Sequence, residues 1–141
     1  MTLAHYPYST GGSNDRVIDC RGAWLHRYTH RGVTVLTIGG EIDASNADLI
    51  REHVHRYTSA VSALVVDMTQ VKFFAVHGLR NLMILGERFR NAGAEWALVG
   101  SPPVHLLLRV ADVDRALPME KSIDVALQRI TGGTTDCSKS A

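Results

Sequence analysis

The sequence predicts an α/β domain: a mixed sheet of four or five strands with helices packed on it. Three observations carry that prediction. Residues 33–38, VTVLTI, alternate Val33, Val35 and Thr37 with Thr34, Leu36 and Ile38, a β-branched pattern that suits a strand. Residues 63–66, ALVV, form a short continuous apolar run of the kind found in a strand buried on both faces. After it, Leu79, Leu82, Met83, Gly86 and Phe89 recur at spacings of three and four, so they share one helix face. Strand, helix and strand then alternate in the way that builds parallel pairs through right-handed crossovers.

Residues 1–22 are rich in Gly, Ser, Thr and Asn, show little apolar period, and read as a flexible tail. Trp24, Leu25 and Tyr28 fit a first strand, His30-Arg31-Gly32 a turn, and residues 33–38 its antiparallel partner. Gly39-Gly40-Glu41 is expected to break that strand. Asp43 or Ser45 is placed to cap a helix over residues 46–57, with Ala47, Ile50, Val54 and Tyr57 inward. The strand at residue 63 gives way to a polar corner at residues 67–70 and a loop reaching Gly78, where the central helix starts. Gly93 suits a left-handed cap after that helix. Residues 96–99 form a further buried strand. Ser101-Pro102-Pro103 opens a helix with Val104, Leu107, Leu108 and Ala111 inward, proline being tolerated in a first turn. Residues 116–119 suit a short edge strand, and Ser122 caps a last helix with Ile123, Ala126, Leu127 and Ile130 inward. The domain therefore spans residues 23–131, and residues 132–141 read as a disordered tail.

Composition limits the functions available. A chain of 141 residues supports one domain with a core of its own. A formal net charge of +1 argues against a dedicated nucleic-acid binder. No apolar run approaches the ~18 residues needed to cross a bilayer, and no secretory signal opens the chain, so the cytoplasm is the expected compartment. Two cysteines, Cys20 and Cys137, lie near opposite ends. Chain ends often meet in compact domains, which makes a redox pair geometrically open, against the plainer reading of two independent thiols.

Catalytic motifs are absent. The chain has no G-x-S-x-G elbow, P-loop or G-x-G-x-x-G after a strand. Seven histidines include no metal spacing; His53 and His55, two apart on a helix, point to different faces. No metal and no cofactor are expected. Asp67 at the end of a buried strand suggests a phospho-accepting receiver, but that chemistry needs an acidic pair and a late-strand lysine, and neither is present. His77 stands at the start of the central helix, beside free N–H groups and a partial positive charge. Chemistry or binding is expected to gather there.

Two segments carry a family resemblance. One is Val35-Leu36-Thr37-Ile38-Gly39-Gly40-Glu41-Ile42-Asp43; the other is Leu64-Val65-Val66-Asp67-Met68-Thr69-Gln70-Val71-Lys72-Phe73-Phe74. With Gly78-Leu79 opening a helix and Leu98-Val99-Gly100 before another, the chain resembles the STAS domain of sulfate transporters and anti-sigma factor antagonists. The resemblance implies a non-enzymatic module that binds an anti-sigma factor of the histidine-kinase-like ATPase type. It also implies a phosphoswitch: in the family, a serine or threonine in an Asp-Ser-Ser/Thr-Gly loop accepts phosphate, adding about −2 charge to a close-packed contact. Here the matching residues read Ala75-Val76-His77-Gly78, so the acceptor position is Val76, which has no hydroxyl.

That departure leaves three readings: an antagonist not switched at Val76, a signalling scaffold using the same face, or a sensor of a small ligand or of redox state through Cys20 and Cys137. The expected contact rim is Asp43, Phe74, Val76, His77, Gly78 and Arg80. Thr69 and Ser101 are the nearest other hydroxyls, with turn-forming and helix-capping as their plainer roles. Direct nucleic-acid and membrane contacts are not expected, and a homodimer is left open.

Overall fold

The computed structural model describes residues 16–140, with side chains through residue 132. Its centre is the hairpin expected from sequence. Strands β2 (Ala23–His30) and β3 (Val33–Ile42) pair antiparallel from His30 opposite Val33 to Ala23 opposite Gly40. Arg31 and Gly32 join them, both with positive φ (53° and 80°), as the tight turn favoured between twisted strands demands.

The expected tail ends earlier than residue 22. Val17–Asp19 forms strand β1, paired with β2 at Trp24, Leu25 and His26. Three residues offer too little period to read from sequence. Pairing holds them through a second tight turn at Arg21 and Gly22 (φ 56° and 104°), closed by the Cys20 amide on the Ala23 carbonyl at 2.7 Å.

Strand β3 also runs through the glycines that were expected to break it. The Trp24 indole lies against Gly39, where a Cβ would sit 2.3 Å from Trp24 Cζ2; Gly40 (φ 93°) passes the Gly22 carbonyl, 2.4 Å from where its Cβ would be. The register against the next strand shifts on either side of Gly40. Glycine here permits a bulge, not an end.

After helix α1 (Ala47–Thr58), β4 (Ala63–Phe74) continues for 12 residues through the supposed polar corner. Asp67 stabilises that passage: its Oδ1 accepts the Thr69 amide at 2.9 Å and the Thr69 hydroxyl at 2.6 Å. Helix α2 (Val76–Asn91) follows after a single residue, then β5 (Glu95–Gly100) and α3 (Pro102–Val110). The sheet order is β1-β2-β3-β4-β5, antiparallel among the first three and parallel among the last three.

The faces of the sheet follow the two-residue alternation. Leu36, Ile38, Leu64, Val66, Leu98 and their neighbours meet α1, α2 and α3 on one side. Val33, Val35, Val65, Ala97 and Val99 meet Ala126 and Ile130 of helix α4 (Ile123–Ser140) on the other. Central strands covered on both sides read as unbroken apolar runs, which is why residues 63–66 could be recognised. Ser122 caps α4 as expected, its Oγ accepting the Val125 amide at 3.1 Å. The helical backbone then continues beyond residue 132, where a disordered tail was expected. Gly132 and Gly133 weaken a helix by about 1 kcal/mol each without forbidding it, and no proline follows. The expected edge strand at residues 116–119 reduces to a 3-10 turn, Asp114–Ala116, and one parallel bridge of Met119 to Leu98. Pro118 has no N–H with which to extend a ladder.

Candidate functional site

The end of β3, the end of β4 and the first turn of α2 converge on one rim. The Ala75 amide donates to the Ile42 carbonyl at 2.9 Å and so closes the two strand ends together. Ala75 is extended (φ −91°, ψ 170°) and the chain turns into α2 directly after it. No side chain caps this helix, and no acidic residue occupies its first turn. The Gly78 and Leu79 amides donate to the Ala75 carbonyl at 2.9 and 3.2 Å, which leaves the Val76 and His77 N–H groups at the helix start without an intrahelical acceptor.

Asp43 anchors the facing side. Its Oδ1 accepts the Ser45 hydroxyl at 2.6 Å and the Ser45 amide at 2.9 Å, and its own amide donates to Asn46 Oδ1 at 3.0 Å. The Ser45 hydroxyl bond, reinforced by the Ser45 and Asn46 amides and by attraction to His77, holds the Asp43 carboxyl below its ordinary 3.8. Asp43 therefore ends a turn just before α1, and the helix-capping position falls to Asn46. Sequence reading missed what Asn46 does. It is buried, and its Nδ2 donates to the Arg21 carbonyl at 3.1 Å and the Glu41 carbonyl at 2.8 Å. One amide side chain thus locks the β1–β2 turn, the end of β3 and the start of α1.

The six expected rim residues divide. Val76 is 57% exposed, and His77 and Arg80 are also exposed; Asp43 is half-buried beside them. Phe74 and Gly78 lie beneath the rim. A Cβ on Gly78 would come within 2.7 Å of Phe74 Cε1 and 2.8 Å of Ile42 Cγ2, so this glycine is where α2 lands on the core. The exposed aromatic is Phe73, at 52%, and its neighbour Phe74 points inward. Lys72 and Phe73 both point outward and break the strand alternation, which turns Phe74, expected on the rim, toward the core.

Asn81 is a further residue that sequence reading passed over. It sits buried on the α2 face toward α1, donating to the His77 carbonyl at 2.9 Å and to Asp48 Oδ1 at 3.1 Å, and accepting from Arg51. Its bonds tie the first turn of α2 to α1. A lone polar residue amid Leu82, Leu85 and Phe89 was the available signal, since buried amides are kept only when bonded.

Other candidates carry less. Thr69 closes its turn with Asp67; Ser101 starts α3 but makes no side-chain cap, and Pro102 and Pro103 remove two of the N–H groups a ligand there would need. Cys20 is a free, fully buried thiol, and burial followed by the Asp19 charge pushes it up to about 11, so it is no reactive thiolate at neutral pH. The side chain of its supposed partner, Cys137, lies outside the described residues. Among the described residues no three His, Cys, Asp or Glu side chains gather as a metal site, and no helix is long and apolar enough to cross a membrane.

Comparison with known proteins finds the same fold. The STAS domain profile matches residues 25–126. The chain belongs to the STAS domain family. Among curated relatives, osmosensory protein A of Mycobacterium tuberculosis is 39% identical over 114 residues, 78% of this chain and 72% of that protein. The anti-sigma-F factor antagonist RsfB of the same species is 30% identical over 112 residues, covering 76% of this chain and 88% of RsfB. Among solved structures, an anti-sigma factor antagonist from Mycobacterium paratuberculosis superposes with a TM-score of 0.70 at 23% identity, covering 77% of this chain and 94% of that one. Within that family the chain is thus similar to anti-sigma factor antagonists.

Proposed function

We propose that this chain works by protein–protein binding, without catalysis, capturing an anti-sigma factor of the histidine-kinase-like ATPase type at the rim of Asp43, Val76, His77 and Arg80. The protein acts in the cytoplasm, where such partners reside. One observation carries the reading: the first residue of α2, the family's phosphoacceptor position, is an exposed valine on the rim. A hydrocarbon held 57% exposed there suits a contact surface and offers no oxygen for phosphate. Binding is therefore not switched at Val76, and abundance or a competing partner sets its extent. The redox alternative loses its support with Cys20 sealed in the core.

The test is calorimetry of the chain against each ATPase-type anti-sigma factor of its host, repeated with Asp43→Lys and Arg80→Glu. Loss of binding to one such partner in both variants is expected. Unchanged binding to every one would remove the rim from consideration.

A further inference from the structure

We propose that the outer face of α2 is a docking surface for an amphipathic helix of the partner protein with acidic residues flanking its apolar stripe. This deepens the reading above and rests on it, because Val76 and Arg80 belong to both surfaces. Helix α2 is apolar on two sides. Leu82, Leu85 and Phe89 face the core, while beside them Leu79 and Met83, half-buried against that core, join Val76 and Ile84 in lining a shallow open groove. From Val76 to Arg88 the groove follows 13 residues of helix, whose rises of about 1.5 Å each span roughly 18 Å, which is room for about three turns of a partner helix.

Charge selects the occupant. Arg80 and Arg88 border this groove, and among the described residues neither has a carboxylate within ion-pair distance; Glu87, the acid on this face, is paired with Arg90 at 3.5 Å. A wholly apolar occupant would strip water from two guanidinium groups without replacing their hydrogen bonds. A basic occupant would set like charges against them. An added strand would need free backbone groups, which a helix face does not present. An apolar stripe with carboxylates on its flanks satisfies the apolar side chains and both arginines together.

The test uses a synthetic amphipathic helical peptide with leucines at i, i+3, i+4 and i+7 and glutamates flanking them, alongside its lysine-flanked counterpart. Binding to the full chain is read by fluorescence anisotropy at low and high salt, then repeated with an Arg80→Glu/Arg88→Glu double variant whose thermal unfolding verifies its fold. The glutamate peptide is expected to bind at least roughly fivefold tighter than the lysine peptide, with the gap narrowing in salt and reversing in the double variant. No binding by the glutamate peptide, equal binding by both peptides, or a preference unmoved by the double variant would each overturn the proposal. The peptides require no anti-sigma factor. Failure to find a host partner would therefore count against the proposed function alone, and failure of peptide discrimination against this inference alone.

Discussion

Gly78→Ala tests whether the rim is built as described. Alanine would place its Cβ 2.7 Å from Phe74 Cε1 and 2.8 Å from Ile42 Cγ2, against the roughly 3.5–4.0 Å at which carbons rest comfortably. Neither neighbour can step aside easily, since Ile42 is 3% and Phe74 8% exposed. Overpacking of this kind costs about 1–3 kcal/mol. An opposing gain of at most about 1 kcal/mol comes from replacing glycine inside a helix, and it shrinks in a first turn. The net expectation is a loss of about 1–2 kcal/mol. Urea unfolding followed by tryptophan fluorescence should show a lower midpoint with an unchanged slope. Gly132→Ala in α4 is the control: its Cβ would meet only Gln128 Cγ at 3.9 Å, so the propensity gain should appear there undiminished. A Gly78→Ala variant as stable as its parent would mean that α2 does not seat on Ile42 and Phe74, and the rim geometry would fall with that contact.

Three more outcomes follow from named contacts. Asn81→Leu keeps the branched side-chain shape but removes the side-chain bonds to the His77 carbonyl, Asp48 and Arg51, so a loss of about 1–3 kcal/mol and faster amide exchange over residues 76–80 are expected; unaltered exchange would show that Asn81 does not hold the first turn of α2. The lowered folded-state Asp43 pKa contributes stability that is fully present above the unfolded value of 3.8 and lost as pH falls through the lower folded value; Asp43→Asn should flatten that acid limb and leave the dependence near neutrality as it was, as urea midpoints across the acid range would show. Native Cys20, buried and with its thiol raised to about 11, should resist iodoacetamide at neutral pH until the protein unfolds; rapid native labelling at Cys20 would contradict its place in the core.

The architecture was legible because the strongest apolar patterns belong to strands covered on both sides and to helices with a wide buried face. Val35, Val65 and Leu64 announce themselves in this way. Legibility failed where backbone conformation overrode pattern. Gly39 and Gly40 look like a break, yet they are the bulge that lets β3 reach Ile42 beside the rim. Asp67 and Thr69 look like a corner, yet their mutual hydrogen bonds carry β4 on to Phe74. Val76, His77 and Arg80 were expected at the surface from their position at a helix start, and all three are exposed there. Phe74 and Gly78 were placed on the same rim because both stand where a strand end meets that helix start, and position along the chain does not say that they turn into the core beneath it. Asn46 and Asn81 escaped notice because a bonded amide in a core is invisible until its partners are known.

The most direct test of the account is calorimetric titration of an ATPase-type anti-sigma factor that binds the chain with its Val76→Glu variant. Val76 is 57% exposed and a carboxylate suits the first turn of a helix, so the variant should unfold at or slightly above the parent's midpoint. A carboxylate at the first residue of α2 places charge in the middle of the proposed contact, and affinity should fall by at least about tenfold, or 1.4 kcal/mol. A folded variant that binds as tightly as its parent would contradict the claim that this rim is the binding face.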